Sequence, residues 1–343
     1  VFGLDSRDGS LDKGNRSDTI MIVSLNQETY EVKMVSVYRD TFMRLKDGSY
    51  NKANAAYSYF GPDGGVALLN ENMDMNIEKY VSVNFNALVD VIDAVGGMNL
   101  ELTDAEVVHM NNYCVETSEV TGKSYKKIEP EVGGSYHLNG VQVVSYCRIR
   151  YTSSMDMGRT ERQRRVIGLM VDKAKKAGIT TIFNIMDQVF PLITTSVSKT
   201  ELLNMVPSLI GYNIADTTGF PSKYKFADVK NASMVVADTL EGNVKELHAF
   251  LYGADESYEP SQNIIEANDK IIELVGGADT LVDEAPAVTS DDTSSDVVWQ
   301  GDGSGNYDYN DYSSDYSDDY SDDYSSDYSD NDYSDGFEDG SEY

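Results

Sequence analysis

Long apolar runs are missing from this 343-residue chain. No stretch reaches the roughly 18 apolar residues that a membrane helix needs, and the core of a signal peptide is missing too. Val1 stands where a Met start would be, and Val-Phe-Gly-Leu-Asp reads as the end of a buried strand. The natural N-terminus, with any anchor on it, is therefore expected upstream. Cysteine is scarce: Cys114 and Cys147 are the only two, and neither sits in a CxxC pair, so a zinc site is excluded. One disulfide and two core thiols are both compatible with that count. His109, His137 and His248 are the only histidines and show no metal-binding spacing, so each reads as structural. There is no P-loop, no convincing GxGxxG and no prominent Ser or Cys nucleophile. Positive charge is short as well, with 27 Lys and Arg against 58 Asp and Glu. A chain of net charge -31 is not expected to bind free nucleic acid, which needs a basic face.

The imbalance is uneven. Residues 287–343 hold 18 of the acids and no Lys or Arg, leaving 40 acids against 27 bases in residues 1–286. This tail repeats Asp, Ser and Tyr, as in Ser314-Asp315-Tyr316-Ser317-Asp318. Like charges repel and aliphatic residues are too few for a core, so a disordered, solvated spacer is expected.

Upstream, apolar patterns alternate between two periods. Strands are expected at 1–4, 19–25, 32–37, 80–84, 98–102 and 143–149. Thr-Ile-Met-Ile-Val-Ser-Leu at 19–25 is too apolar for a half-exposed strand and should be central in its sheet. Helices are expected at 51–59, 64–73, 85–95, 157–177, 181–189 and 200–209. The third ends at Gly96-Gly97, and Asn139 opens a further short helix. The predicted class is α/β: an α-β-α sandwich around a central mixed β-sheet, mixed because 19–37 looks like a hairpin. The compact domain should end near 255. Residues 256–286 read as a linker with a short helix at 264–275, and 287–343 as the tail.

Six arginines crowd the segment Tyr146–Arg165. Arginine stays protonated and its fork matches phosphate oxygens, so a cationic cluster in an acidic chain points to a bound phosphate or pyrophosphate. Arg148 and Arg150 alternate along the expected strand and should point the same way. Arg159 and Gln163 share a helix face, and Asp156 can cap that helix. Arg162, Arg164 and Arg165 face elsewhere and read mostly as surface residues. Asp5 and Arg39 follow strands and Asp18 precedes one, positions that gather at one sheet edge. Two carboxylates without Cys or His form a hard oxygen site suited to Mg²⁺.

These residues fall into ordered motifs: Gly3-Leu4-Asp5-Ser6-Arg7, Arg16-Ser17-Asp18-Thr19, Arg39-Asp40-Thr41 and Lys52-Ala53-Asn54-Ala55-Ala56-Tyr57. Gly96-Gly97, Leu138-Asn139-Gly140, Tyr146-Cys147-Arg148-Ile149-Arg150 and Asp156-Met157-Gly158-Arg159 through Gln163 follow. Over residues 1–177 the chain thereby resembles the LytR–CpsA–Psr family. That resemblance implies a catalytic domain over 1–255. It also implies an extracytoplasmic enzyme of a Gram-positive bacterium, held to the membrane by an N-terminal anchor. The enzyme would move a glycopolymer, of teichoic-acid or capsular type, from polyprenyl pyrophosphate to peptidoglycan. By the same resemblance Asp5 and Asp18 hold Mg²⁺, or Mn²⁺ in its place. Arg7, Arg39, Lys52, Arg148, Arg150, Arg159 and Gln163 bind pyrophosphate, and Asp156 is a polar site residue. Asp5, Asp18, Arg39 and Asp156 make up the expected catalytic set, with Asp5 or Asp156 as proton acceptor. The lipid is expected in an apolar tunnel whose lining the motifs do not assign. Two residues depart from the pattern: Tyr38 replaces the usual Pro before Arg-Asp-Thr, and Ala53 the usual Ile. The family's old association with transcription finds no support in so acidic a chain. Alternatives from the residues are hydrolysis of the same pyrophosphate and non-catalytic binding of wall glycopolymer.

Overall fold

The computed structural model describes residues 1–6, 9–150, 155–229, 231–255 and 257–283, with only the backbone for 155, 156 and 209. The expected acidic tail at 287–343 lies outside them. In chain order come β1 (Phe2–Asp5), β2 (Arg16–Leu25), β3 (Glu31–Val37), β4 (Phe42–Arg44), β5 (Tyr50–Lys52), α1 (Ala55–Met73), β6 (Val81–Asn84), α2 (Phe85–Ala94), β7 (Met98–Leu102) and α3 (Asp104–Thr121). Then follow β8 (Gly134–Leu138), α4 (Gly140–Arg148), α5 (Met155–Ala177), α6 (Ile179–Val189), β9 (Thr194–Thr195), α7 (Lys199–Leu209), β10 (Asn213–Phe220), β11 (Tyr224–Val229), β12 (Ala232–Ala237), α8 (Leu240–Tyr252) and α9 (Gln262–Leu274).

The main sheet runs β10-β3-β2-β1-β6-β9. It is mixed: β2 pairs antiparallel with β1 and β3, whereas β1–β6 and β3–β10 are parallel. Side chains of β2 alternate between its faces, as a period of two requires. Ile20 and Ile22 join the core around α1, and Met21 joins Val32, Met34 and Tyr212 on the face where Ile167 of α5 packs. Helices therefore cover both faces, and the central placement of 19–25 accounts for its continuous apolar character. A second cluster lies among α2, α3, α4 and the β7–β8 pair.

Four expectations change. The stretch 143–149 is helical to Arg148, within α4, and Ile149 caps that helix. Asn139 and Gln142 form a reciprocal capping box, and eight of the nine residues of α4 are buried. Burial on every side erases the helical period, so the β-branched run imitates a core strand. The segment 51–59 begins as strand β5, and the two helices expected at 51–59 and 64–73 merge into α1. A kink at Gly61 (φ 66°) ahead of Pro62 divides them. Strand 98–102 leaves the main sheet and pairs with β8. Finally, the expected linker contains α9, whose Ile264, Ala267 and Ile271 complete the core around α1 and α8. Each isoleucine buried there stabilises the fold by about 1.5–3 kcal/mol.

Candidate active site

The site starts from an irregularity in the sheet. Gly3 pairs with Thr19 and Leu4 with Ser17, so Asp18 stands opposite no residue of β1. A bulge of this kind breaks the pairing for one residue and re-aims its side chain. Asp18 thus lies inside β2, not before it, on the bulge.

Three guanidinium groups meet at Asp18. Arg39 Nη1 donates to Oδ1 at 3.0 Å and to Oδ2 at 3.1 Å. Arg150 Nη2 donates to Oδ2 at 2.8 Å. Arg159 is almost fully buried; its Nη2 donates to the Asp18 carbonyl at 3.2 Å and its Nη1 lies 3.8 Å from Oδ2. Burial alone would raise the Asp18 pKa. Arg39, Arg159 and Arg150 outweigh that and hold it well below the usual carboxylate range.

Arg39 also donates through Nε to Asp40 Oδ2 at 3.2 Å, and Lys52 Nζ lies 3.0 Å from Asp40 Oδ1. Burial pushes the Asp40 carboxyl up, while Arg39 and Lys52 bring it below its ordinary value. Asp40 is a site residue that sequence reasoning missed, although it stands in the Arg39-Asp40-Thr41 motif. Its turn is held by Thr41 Oγ1 donating to the Tyr38 carbonyl at 2.7 Å, and Asn54 N donates to the Arg39 carbonyl at 3.0 Å. Tyr38 anchors the turn to β10. Its N–H reaches the Phe220 carbonyl, and its hydroxyl lies 2.2 Å from where a Cβ on residue 219 would stand, so only Gly219 fits.

In the described contacts, Arg39, Arg150, Arg159 and Lys52 share two carboxylates, Asp18 and Asp40. The cluster carries surplus positive charge, the condition for receiving an anion.

Two further expected site residues, Asp5 and Gln163, adjoin these positions along the chain, and others fall elsewhere. Asp5 ends β1 as the cross-strand partner of Arg16, beside the bulge. Gln163 lies one turn beyond Arg159, and its Oε1 is buried with no partner among the described residues. Arg148 does not alternate with Arg150. It ends α4, donating to Glu116 at 2.6 Å and Thr117 at 2.9 Å and lying over the rings of Phe85 and Tyr113. Asp156 falls within the first turn of α5 and is not its cap; its side chain, like Arg7, lies outside the described residues. Arg162, expected at the surface, is buried and donates to Glu106 at 3.0 Å. Arg164 is also partly buried, whereas Arg165 is exposed.

Both cysteines are free and buried, which settles the alternatives in favour of two core thiols. Burial pushes Cys114 up to about 11 and Cys147 to about 12, so neither is a nucleophile at neutral pH. Among the described residues no group of three or more His, Cys, Asp or Glu could hold a metal ion.

A family model, the LytR_cpsA_psr family, matches residues 1–248. The chain belongs to this family. Among curated proteins it is 31% identical over 202 residues to the polyisoprenyl-teichoic acid–peptidoglycan teichoic acid transferase TagV of Bacillus subtilis, covering 57% of this chain and 49% of that protein. It is 29% identical over 219 residues to the corresponding TagU of Oceanobacillus iheyensis, covering 62% of each. The chain thus spans about half to 62% of the length of these relatives. Among solved structures, B. subtilis TagV superposes with a TM-score of 0.57 at 27% identity, over 76% of this chain and 96% of that one. TagT bound to LI-WTA gives 0.56 at 21%, over 73% and 88%, a likeness of fold.

For this LytR_cpsA_psr member, the matched span contains every residue of the cation cluster and stops before α9. The fold expected from the sequence, a mixed sheet between helices, is the one these neighbours share.

Proposed function

We propose that the chain is a phosphotransferase that moves a glycopolymer of teichoic-acid or capsular type from a polyprenyl pyrophosphate carrier to peptidoglycan. It would act at the extracytoplasmic face of a Gram-positive membrane. The observation that carries this reading is the convergence of Arg39, Arg150, Arg159 and Lys52 on Asp18 and Asp40, more cations than carboxylates among the described contacts. A peptidoglycan hydroxyl attacks the phosphorus that bears the glycan. One O–P bond forms, the bridging P–O bond breaks, and polyprenyl phosphate leaves with the electron pair. Arg39, Arg150 and Arg159 are positioned to stabilise the charge growing on the leaving phosphate. The hydroxyl proton passes to Asp5 or Asp156. Asp18 is too weak a base for that step, because three guanidiniums stabilise its ionised form.

Asp5 and Asp18 also fit a Mg²⁺ or Mn²⁺ ion. Their donors are hard oxygens, and the three hydrogen bonds that the Asp18 carboxylate accepts leave about one of its four acceptor positions open. Such an ion, when bound, would neutralise phosphate charge. The lipid would lie against α6 and α7. Helix α6 has no fully buried residue despite its apolar side, and Ile179, Leu192, Met205 and Ile210 remain exposed nearby. No described helix is long and apolar enough to cross a membrane, so the proposed membrane attachment lies in a segment other than these.

Incubation with a short-chain lipid-linked glycan and peptidoglycan fragments tests the proposal. A new phosphodiester conjugate is expected. Free glycan phosphate would instead identify a hydrolase, and no turnover a binding protein.

A further inference from the structure

A cleft of about 700 Å³ runs along α5, bordered by β10 on one side and by Glu106 and Tyr146 on the other. It is separate from the cation cluster. Arg159 and Gln163 mark one face of α5, whereas Glu161, Arg164, Arg165, Gly168, Asp172 and Lys175 of the cleft lining fall on the opposite side by helical geometry.

Arg164 sets this cleft apart. The other described arginines of the crowded segment have carboxylate, carbonyl or hydroxyl partners: Arg148 at Glu116, Arg150 and Arg159 at Asp18, Arg162 at Glu106, Arg165 at the Tyr146 hydroxyl. Arg164 has only a 3.4 Å contact to Thr160 Oγ1, and its buried Nε has no partner among the described residues. Burial lowers its pKa against the opposing pull of Tyr38 and Glu161, so desolvation outweighs the charge described around it. A buried donor without an acceptor calls for an explanation, and a ligand oxygen supplies one. Arg165 and Lys175 add positive charge along the cleft. Glu161, Asp172, Asn213 and Thr217 supply the mixed donors and acceptors that sugar hydroxyls require. At Gly168 a Cβ would stand 3.9 Å from Ile214, so its absence widens the floor. The volume lies within the usual 300–1,000 Å³ range of small-ligand sites and suits a few sugar rings.

We propose that this cleft is a saccharide subsite for an anionic glycan unit, with Arg164 taking its phosphate or carboxylate. The inference rests on the glycopolymer transfer proposed above and extends it to the glycan itself. The anionic unit can come from the donor polymer, as a polyol phosphate, or from the acceptor, as a muramyl carboxylate.

Calorimetric titration of the full chain separates these. Four probes are used: a phosphate-bearing disaccharide, a muramyl disaccharide, a neutral disaccharide and a short prenyl pyrophosphate without glycan. The wild type should bind one anionic saccharide and prefer it to the neutral one. Arg164→Met should weaken that saccharide at least tenfold and prenyl pyrophosphate less than twofold. Gly168→Leu, which fills the floor without changing charge, should reproduce the loss. Loss of the phosphate probe assigns the cleft to the donor, and loss of the muramyl probe to the acceptor. Unchanged saccharide affinity in both variants, no saccharide binding by the wild type, or an equal loss of prenyl pyrophosphate would each overturn the subsite. Arg159→Met serves as the control on the parent reading. If it binds prenyl pyrophosphate as well as the wild type, the pyrophosphate cradle fails while the saccharide result stands separately.

Discussion

Arginine is used in two ways within a few residues of chain. On the helical side, two guanidiniums each have their own acid: Arg148 meets Glu116 and Arg162 meets Glu106, with aromatic rings of Phe85, Tyr113 and Tyr146 close by. On the sheet side, Arg39, Arg150 and Arg159 converge on Asp18. One-to-one pairing is self-sufficient and serves stability. Three-to-one pairing among the described residues leaves charge over, which under the proposed function would meet an incoming anion. Among the described residues the cluster differs from the one-to-one pairs less in its arginines than in how few acids they share.

The largest effect should come from removing the shared acid. Asp18→Asn keeps the shape but no longer orders the guanidiniums by charge. Turnover on a short-chain lipid-linked glycan should fall by about 10²–10³, the loss typical when preorganised electrostatics are removed. Near-wild-type turnover in a folded variant would end the three-to-one account. Next comes Arg162→Met, which strands Glu106 in a largely buried position. It should cost about 3 kcal/mol of stability, read as a lowered melting temperature, with prenyl-pyrophosphate affinity of the folded protein unchanged. Arg159→Met should do the reverse. It should weaken prenyl-pyrophosphate binding by about 1.5–3 kcal/mol in calorimetry, the worth of a charge-assisted contact. Equal binding losses from both variants would erase the distinction between the two sides.

A smaller effect concerns pH. The Asp18 and Asp40 pKa values are depressed by folding, so their contribution is present above the unfolded value near ~4 and is lost as pH falls through the folded ones. Stability in urea should therefore fall below about pH 4. The difference between wild type and Asp18→Asn should stay constant from pH 7 to about 5 and shrink only below that. The smallest effect is expected at Cys114 and Cys147, which should resist thiol reagents at pH 7.5 until the protein unfolds. Rapid labelling of either in the native state would contradict their burial.

Much of this was legible in the residues. The apolar run 19–25 identified a central strand, Gly96-Gly97 ended α2 where expected, and the Asp18, Arg39 and Arg159 motifs met in space. What stayed hidden had physical causes. Helix α4 is buried nearly all round, so its pattern carries no period, and the direction of Arg148 was misjudged with it. Asp18 seemed to precede its strand because a bulge has no signature in a single sequence. Asp40 was overshadowed by Arg39, since a loop Asp beside an Arg is commonplace. Helix α9 follows polar, Pro-containing sequence that resembles a domain end, and only packing against α1 reveals its membership of the core.

The parallel pairing of β10 with β3 has a bearing on when the site can exist. Every cation of the cluster has been synthesised once residue 159 is made, yet the strand that flanks β3, whose Phe220 carbonyl receives the Tyr38 N–H, lies some 180 residues beyond its partner. Helix α9, later still, closes the core beneath α1. A growing chain therefore carries its arginines long before it has the wall that orients them, and contacts so distant in sequence are slow to close. The order of appearance is charge first and geometry last, so a chain cut short between residue 163 and about residue 275 would keep the motifs without the machine.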